Sequence, residues 1–197
     1  MKRKASSSGG EGFTLVELLI AVALVAILSS LLTPAIMGLL GVGGPRGGVS
    51  ALAAALEQAR FAAMQSGVSA YVGFPFSDPA IAADARYSSF IVFRDPREDE
   101  VTVVPISRWL RMPRGVYIAP GTNFPSTIKT VANMPKLAMR SPSALSVVQF
   151  DRFGRLKPST GDVVLVVGQK AQPEGDFVAG KSTVIIQPLT GRVVVTE

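Results

Sequence analysis

Neither cysteine nor histidine occurs among the 197 residues. Without cysteine no disulfide can staple the chain, so its stability must come from packing even in an oxidising compartment. Without histidine the Ser-His-Asp and Cys-His nucleophilic arrangements are excluded, and the commonest metal ligand is missing. An enzyme of this composition would have to use a carboxylate pair or a Ser-Lys arrangement, and no motif marks either. Gly154 and Gly191 stand in turn-like stretches that lack the lysine and helix of a phosphate-cradling loop. No catalytic residue and no cofactor are therefore expected. The length suffices for one globular domain with a real core.

Charge is scarce as well, at 17% of residues, and its distribution is uneven: from Leu18 to Leu40 there is no charged side chain. At about 1.5 Å per residue such a run makes a helix of roughly 35 Å, enough to cross a bilayer core of about 30 Å. Glu17 stands at the mouth of this run. A carboxylate at a bilayer centre costs on the order of 2.5 to 3.5 kcal/mol, less near an end, so compensation is expected. Lys2, Arg3 and Lys4 lie upstream, beyond a polar and glycine-containing stretch, and favour a cytoplasmic N-terminus with the bulk of the chain across the membrane. Removing Lys2, Arg3, Lys4 and Glu11 (net +2) from the formal +6 leaves +4, which by itself implies no partner.

An ordinary secretory signal or a plain single-span anchor also begins with a basic region and an apolar run. This run, however, exceeds the usual 7 to 15 residues or so of a signal core, and no clear A-x-A site follows it. The stretch Gly12-Phe-Thr-Leu-Val-Glu17, entering an apolar helix, resembles the N-terminal signal of type IV pilins and type II secretion pseudopilins. That resemblance implies a cut by a prepilin peptidase between Gly12 and Phe13 and methylation of the new amine. The Phe13 ammonium would then partner Glu17, in its own chain or in a neighbouring subunit, and Pro34 would loosen the helix for extraction and filament packing. The implied partners are the peptidase, other pilin or pseudopilin subunits and the inner membrane. The expected organisation is a leader over 1–12, a membrane and assembly helix over 13–40, a glycine-rich break over 41–49 and a head over 50–197.

Within the break, glycines and Pro45 should interrupt any helix, leaving either a hinge or a disordered linker. Ser50 reads as the N-cap of an amphipathic helix over 51–66, with Gly67 closing it. Thereafter the apolar period changes to two. Strands are expected at 68–74, 87–93, 101–106, 115–119, 145–151, 162–167, 183–187 and 192–196, with hairpins through 149–156 and 186–193. Residues 78–86 and 120–142 read as loops. The fold class is α+β, a helix packed on a mostly antiparallel sheet. The helix around Ala59, Arg60 and Ala63 and the two Gly-Arg turns are similar to the GspH and FimT type of minor pseudopilin.

Two further stretches carry possible chemistry. Arg108, Trp109, Arg111 and Arg114 interleave cations with the only tryptophan, a pattern that suits nucleic-acid contact through stacking and charge. It equally suits a strand whose tryptophan packs inward; the family's DNA-uptake members make a DNA-binding minor pilin the alternative reading. Asp95, Glu98, Asp99 and Glu100 offer oxygen ligands for calcium, but the spacing fits no EF-hand and Arg94 and Arg97 would compete.

Overall fold

The computed structural model describes residues 15–25, 44–125, 127–132, 134–158 and 161–196. Two compact units divide the chain, Met1–Gly41 and Val42–Glu197; the second is the head. In the first unit residues 15–25 form helix α1. Gly12, Phe13 and Pro34 lie outside the described residues.

The head opens with helix α2, Pro45–Ser66. It starts inside the stretch expected to break it, and Ser50 is an interior residue rather than a cap. Pro45 explains the early start: as the first helical residue its missing N–H is one that a helix end leaves unpaired anyway, and its fixed φ is already helical. Gly48 explains the tolerance of glycine. It is buried, and a Cβ there would lie 2.8 Å from Met112 Sδ and 3.2 Å from Val116 Cγ1, so the bare backbone lets this turn sit close against those side chains without displacing them. That packing outweighs the roughly 1 kcal/mol that a helical glycine costs relative to alanine. Gly67 ends the helix at φ 72°, its N–H bonded to the Ala63 carbonyl at 3.0 Å.

The strands in chain order are β1 Ala70–Phe74, β2 Ser89–Arg94, β3 Val104–Pro105, β4 Leu110–Arg111, β5 Val116–Pro120, β6 Ile128–Thr130, β7 Ala144–Phe150, β8 Leu156–Lys157, β9 Val163–Lys170, β10 Phe177–Ile186 and β11 Val193–Thr196. A short helix, α3 Ala83–Ser88, precedes β2. One sheet runs β3-β2-β1-β7-β6, with β4 on β2 and β8 on β7; the other runs β11-β10-β9-β5. All pairings between the strands are antiparallel.

Helix α2 covers both sheets. Its Leu52, Leu56, Ala59 and Ala63 are fully buried among Val72, Phe74, Phe90 and Phe150 of the first sheet and Ile118, Leu165, Val167 and Ile186 of the second. Burying each Leu or Phe side chain contributes about 1.5–3 kcal/mol. The first sheet also buries its opposite face, where Tyr71, Phe93, Leu145 and Val147 pack under Val131 and Met134. Residues 78–86 and 120–142 are accordingly more than loops, since they supply α3, β6 and this second apolar layer.

Both expected hairpins form, and their turns meet. The Asp151 carboxylate caps the β7–β8 turn, accepting from the N–H groups of Phe153 and Arg155 at 2.9 Å each. In the β10–β11 turn Gly191, at φ 63°, lies so close to the first turn that a Cβ on it would stand 2.0 Å from the Gly154 carbonyl oxygen. Leu156 N–H donates to the Pro188 carbonyl at 2.9 Å, and Val193 N–H donates to Glu57 Oε1 of α2 at 3.3 Å.

Candidate functional site

Helix α1 is apolar on every side. Leu15, Val16, Leu18, Leu19, Ile20, Val22, Leu24 and Val25 are all more than half exposed, and Glu17, in the first turn of the described helix, is exposed beside them. A helix of this kind has no polar face to turn to water, so its apolar residues call for an apolar environment. Among the described residues no helix is long and apolar enough to cross a membrane.

The arginine and tryptophan stretch is divided by the fold. Trp109 packs half-buried against Ile81, Ala85 and Leu137 on one side and the Tyr71–Phe93 layer on the other, and its Nε1–H donates to the Pro135 carbonyl at 2.7 Å. Its ring therefore does not join the arginines as a stacking platform. Arg108 is exposed on the same loop. Arg111 and Arg114 instead line a cavity of about 660 Å³ with Asp84, Tyr117 and Lys170. Arg111 donates to Asp84 Oδ2 at 2.9 Å, and the Tyr117 hydroxyl donates to Oδ1 at 3.0 Å. Burial, then the Asp84 carboxylate, raises the Tyr117 pKa. Burial lowers that of Lys170, whose ammonium sits 4.5 Å from the centre of the Phe177 ring. Asp84 and Lys170 carry no recognisable pattern in sequence. They reach the cavity only because α3 and the end of β9 flank β5.

The four acids after β2 are likewise separated. Asp95 accepts from the Tyr71 hydroxyl at 2.6 Å and from Lys129 Nζ. Glu100 is clamped by both terminal nitrogens of Arg94, at 2.5 and 2.6 Å, and by the Arg97 N–H at 2.8 Å. Glu98 and Asp99 remain exposed. Among the described residues no three acids are grouped to hold a metal ion.

The Arg94 guanidinium, then the Arg97 N–H, lower the Glu100 carboxyl from 4.5 to about 2. A carboxylate depressed on folding stabilises the native state above its ordinary value, and the contribution fades as pH falls from there through the folded value. Wild-type stability should thus decline between about pH 4.5 and 2, and Glu100→Gln should flatten that part of the profile. Parallel acid-denaturation curves for the two proteins would remove Glu100 from the account.

Residues 10–33 match the family model described as the prokaryotic N-terminal methylation motif. No curated protein matches the chain. Among solved structures, the type IV minor pilin FimU of Pseudomonas aeruginosa aligns at 13% identity over 82% of this chain and 92% of that one, with a TM-score of 0.48. The minor pseudopilin EpsH from the type 2 secretion system of Vibrio cholerae aligns at 11% identity over 78% and 96%, with a TM-score of 0.46. The methylation motif implies a membrane-anchored precursor, processing by a prepilin peptidase and assembly with other pilin subunits. In that motif, which includes the apolar helix α1 and is followed by an α+β head, the chain resembles the precursors of type IV pilins.

Proposed function

We propose that this chain is a minor pseudopilin or pilin-like structural subunit of a type II secretion or type IV pilus-like filament. It is made as a single-pass inner-membrane precursor, N-terminus in the cytoplasm and head in the periplasm, and is cut after Gly12. The observation that carries this reading is the methylation motif running into a helix with apolar residues on all sides. Such a helix suits lipid before assembly and the helices of neighbouring subunits after it.

Each motif residue has a role in this reading. Gly12 presents a bare backbone to a peptidase working beside the membrane face. Cleavage gives Phe13 an ammonium, which at i, i+4 lies one helical turn from Glu17 or beside Glu17 of the next subunit. Pro34 removes one backbone bond and lets the helix loosen as it leaves the bilayer. The DNA-binding alternative keeps Arg111 and Arg114 but loses the stacking ring, because Trp109 packs against the core.

Mass spectrometry of the chain from a host with a prepilin peptidase should find an N-terminus at Phe13 carrying one added methyl group. Glu17→Ala should be processed to the same N-terminus and should fail to enter filaments. An intact Met1, or a cut within the apolar run, would sink the proposal.

A further inference from the structure

The two hairpin turns that meet at Gly154 and Gly191 carry, beside that contact, two apolar side chains that the fold leaves uncovered. Phe153 is 61% exposed and Leu189 is 76% exposed. Their relative position is fixed, because Leu156 N–H donates to the Pro188 carbonyl at 2.9 Å and the backbones of the two glycines are packed together. A single exposed apolar residue on a loop is ordinary, whereas a pair held across two locked turns is a patch.

Cations surround the pair, and the acids beside it are already engaged. A hollow of about 160 Å³ is lined by Asp151, Arg155, Lys157, Pro188 and Leu189. It shares Asp151, Arg155 and Lys157 with a cleft of about 630 Å³ that also takes in Arg152, Phe153 and Asp95. Asp151 is held by Arg155 at 3.0 Å and by the N–H groups of Phe153 and Arg155, and Asp95 by Tyr71 and Lys129. Arg152 and Lys157, both exposed, form no ion pair among the described residues. The surface is therefore apolar at two tips and positive around them.

Leu189 gives a nucleic acid nothing to stack on or pair with, and the Phe153 ring already has the guanidinium carbons of Arg152 and Arg155 at 4.9 and 5.1 Å from its centre. Guanidiniums stacked in this way still offer N–H groups to phosphate oxygens. An anionic bilayer satisfies every feature together: its acyl boundary takes the phenylalanine and the leucine, its phosphates take the guanidinium edges, and the lysine stem reaches along it to the headgroups. The methylation motif implies a membrane-anchored precursor, which keeps such a surface within reach of the head. We propose that the paired β7–β8 and β10–β11 turns are a lipid-docking edge that seats the head of the precursor on the anionic surface of its own membrane. Two apolar tips and two free cations make a reversible contact, effective while the anchor holds the head near the lipid and lost when the subunit leaves the bilayer. It rests on the membrane-anchored reading and is separate from cleavage after Gly12 and from filament entry.

Because the chain has no native cysteine, a single introduced one can carry a fluorophore. Full-length Leu189→Cys, labelled and reconstituted into vesicles that contain a headgroup-quencher lipid, reports the contact by quenching, while flotation of the vesicles reports the anchor. Quenching should be about threefold stronger in equal parts phosphatidylglycerol and phosphatidylcholine than in phosphatidylcholine alone, and should fall as salt is raised. A label at Met139→Cys, 92% exposed and ahead of β7 rather than beyond its end, should be quenched weakly and equally in both. Adding Arg152→Glu and Lys157→Glu should abolish the difference at position 189, and vesicles containing a cationic lipid should restore quenching to that variant, with Trp109 emission confirming that the head is folded. Flotation without lipid-dependent quenching overturns the contact alone, and failure to float overturns the anchor and the contact together. A second copy as the occupant would shift the label's emission in detergent as protein concentration rises, and a nucleic acid would do so on addition of a duplex oligonucleotide; either shift, with equal quenching in both vesicles, overturns the proposal.

Discussion

Gly191→Ala is expected to destabilise the head by about 3 kcal/mol, an unusually large effect for adding one methyl group at a surface turn. Two costs combine. At φ 63° the residue is left-handed, which costs an alanine about 1–2 kcal/mol. The added Cβ would also stand 2.0 Å from the Gly154 carbonyl oxygen, a contact that only movement of the backbone can relieve. Parting the turns strains the bond from Leu156 to Pro188 and the bond from Val193 to Glu57. Gly67→Ala is the control: it too is left-handed, at φ 72°, but nothing lies within 4 Å of its Cβ. It should cost only the conformational share, about 1–2 kcal/mol. Urea titrations followed by the fluorescence of Trp109 would separate the two, and equal losses would mean that contact between the turns contributes nothing.

Leu56→Ala should cost about 2–5 kcal/mol, the range for a leucine whose removal leaves a cavity in a close-packed core. Leu56 is fully buried at the level where α2 faces both sheets. The void would therefore have three walls, each held by its own pairing, and little freedom to collapse. Phe61 is on the same helix but 62% exposed, and Phe61→Ala should change stability by no more than about 0.5 kcal/mol. A Leu56→Ala loss below about 1 kcal/mol would show that α2 is not the element joining the two sheets.

The parts of this fold legible in sequence were those whose physics is local. β1, β2, β7 and β9 announce themselves by β-branched and aromatic residues, and both Gly-Arg turns require a left-handed backbone at Gly154 and Gly191. What stayed hidden depends on distant partners. Ile128–Thr130 is a strand only because β7 offers its edge. Ala83–Ser88 is too short for helical periodicity to register and is pinned by burial of Ala85 and Ser88. The first half of β10 is largely exposed and carries Gly180, so no alternation marks it. The start of α2 was misread because glycine and proline usually break helices, whereas here proline initiates one and a glycine fits it to the sheet. Among the candidate site residues, the pattern at Gly12, Phe13 and Glu17 was readable as a motif, while the cavity around Asp84, Arg114 and Lys170 existed only after three separate segments had been brought together.

The seat of Gly48 against Met112 and Val116 has a mechanical consequence. A pull on the chain from before Gly44 meets, within the first turn of α2, a backbone already locked into the sheet. Leu52, Leu56 and Ala59 follow on the same helix, so a Gly48 variant that lifts this turn would loosen the N-terminal end of the buried face first.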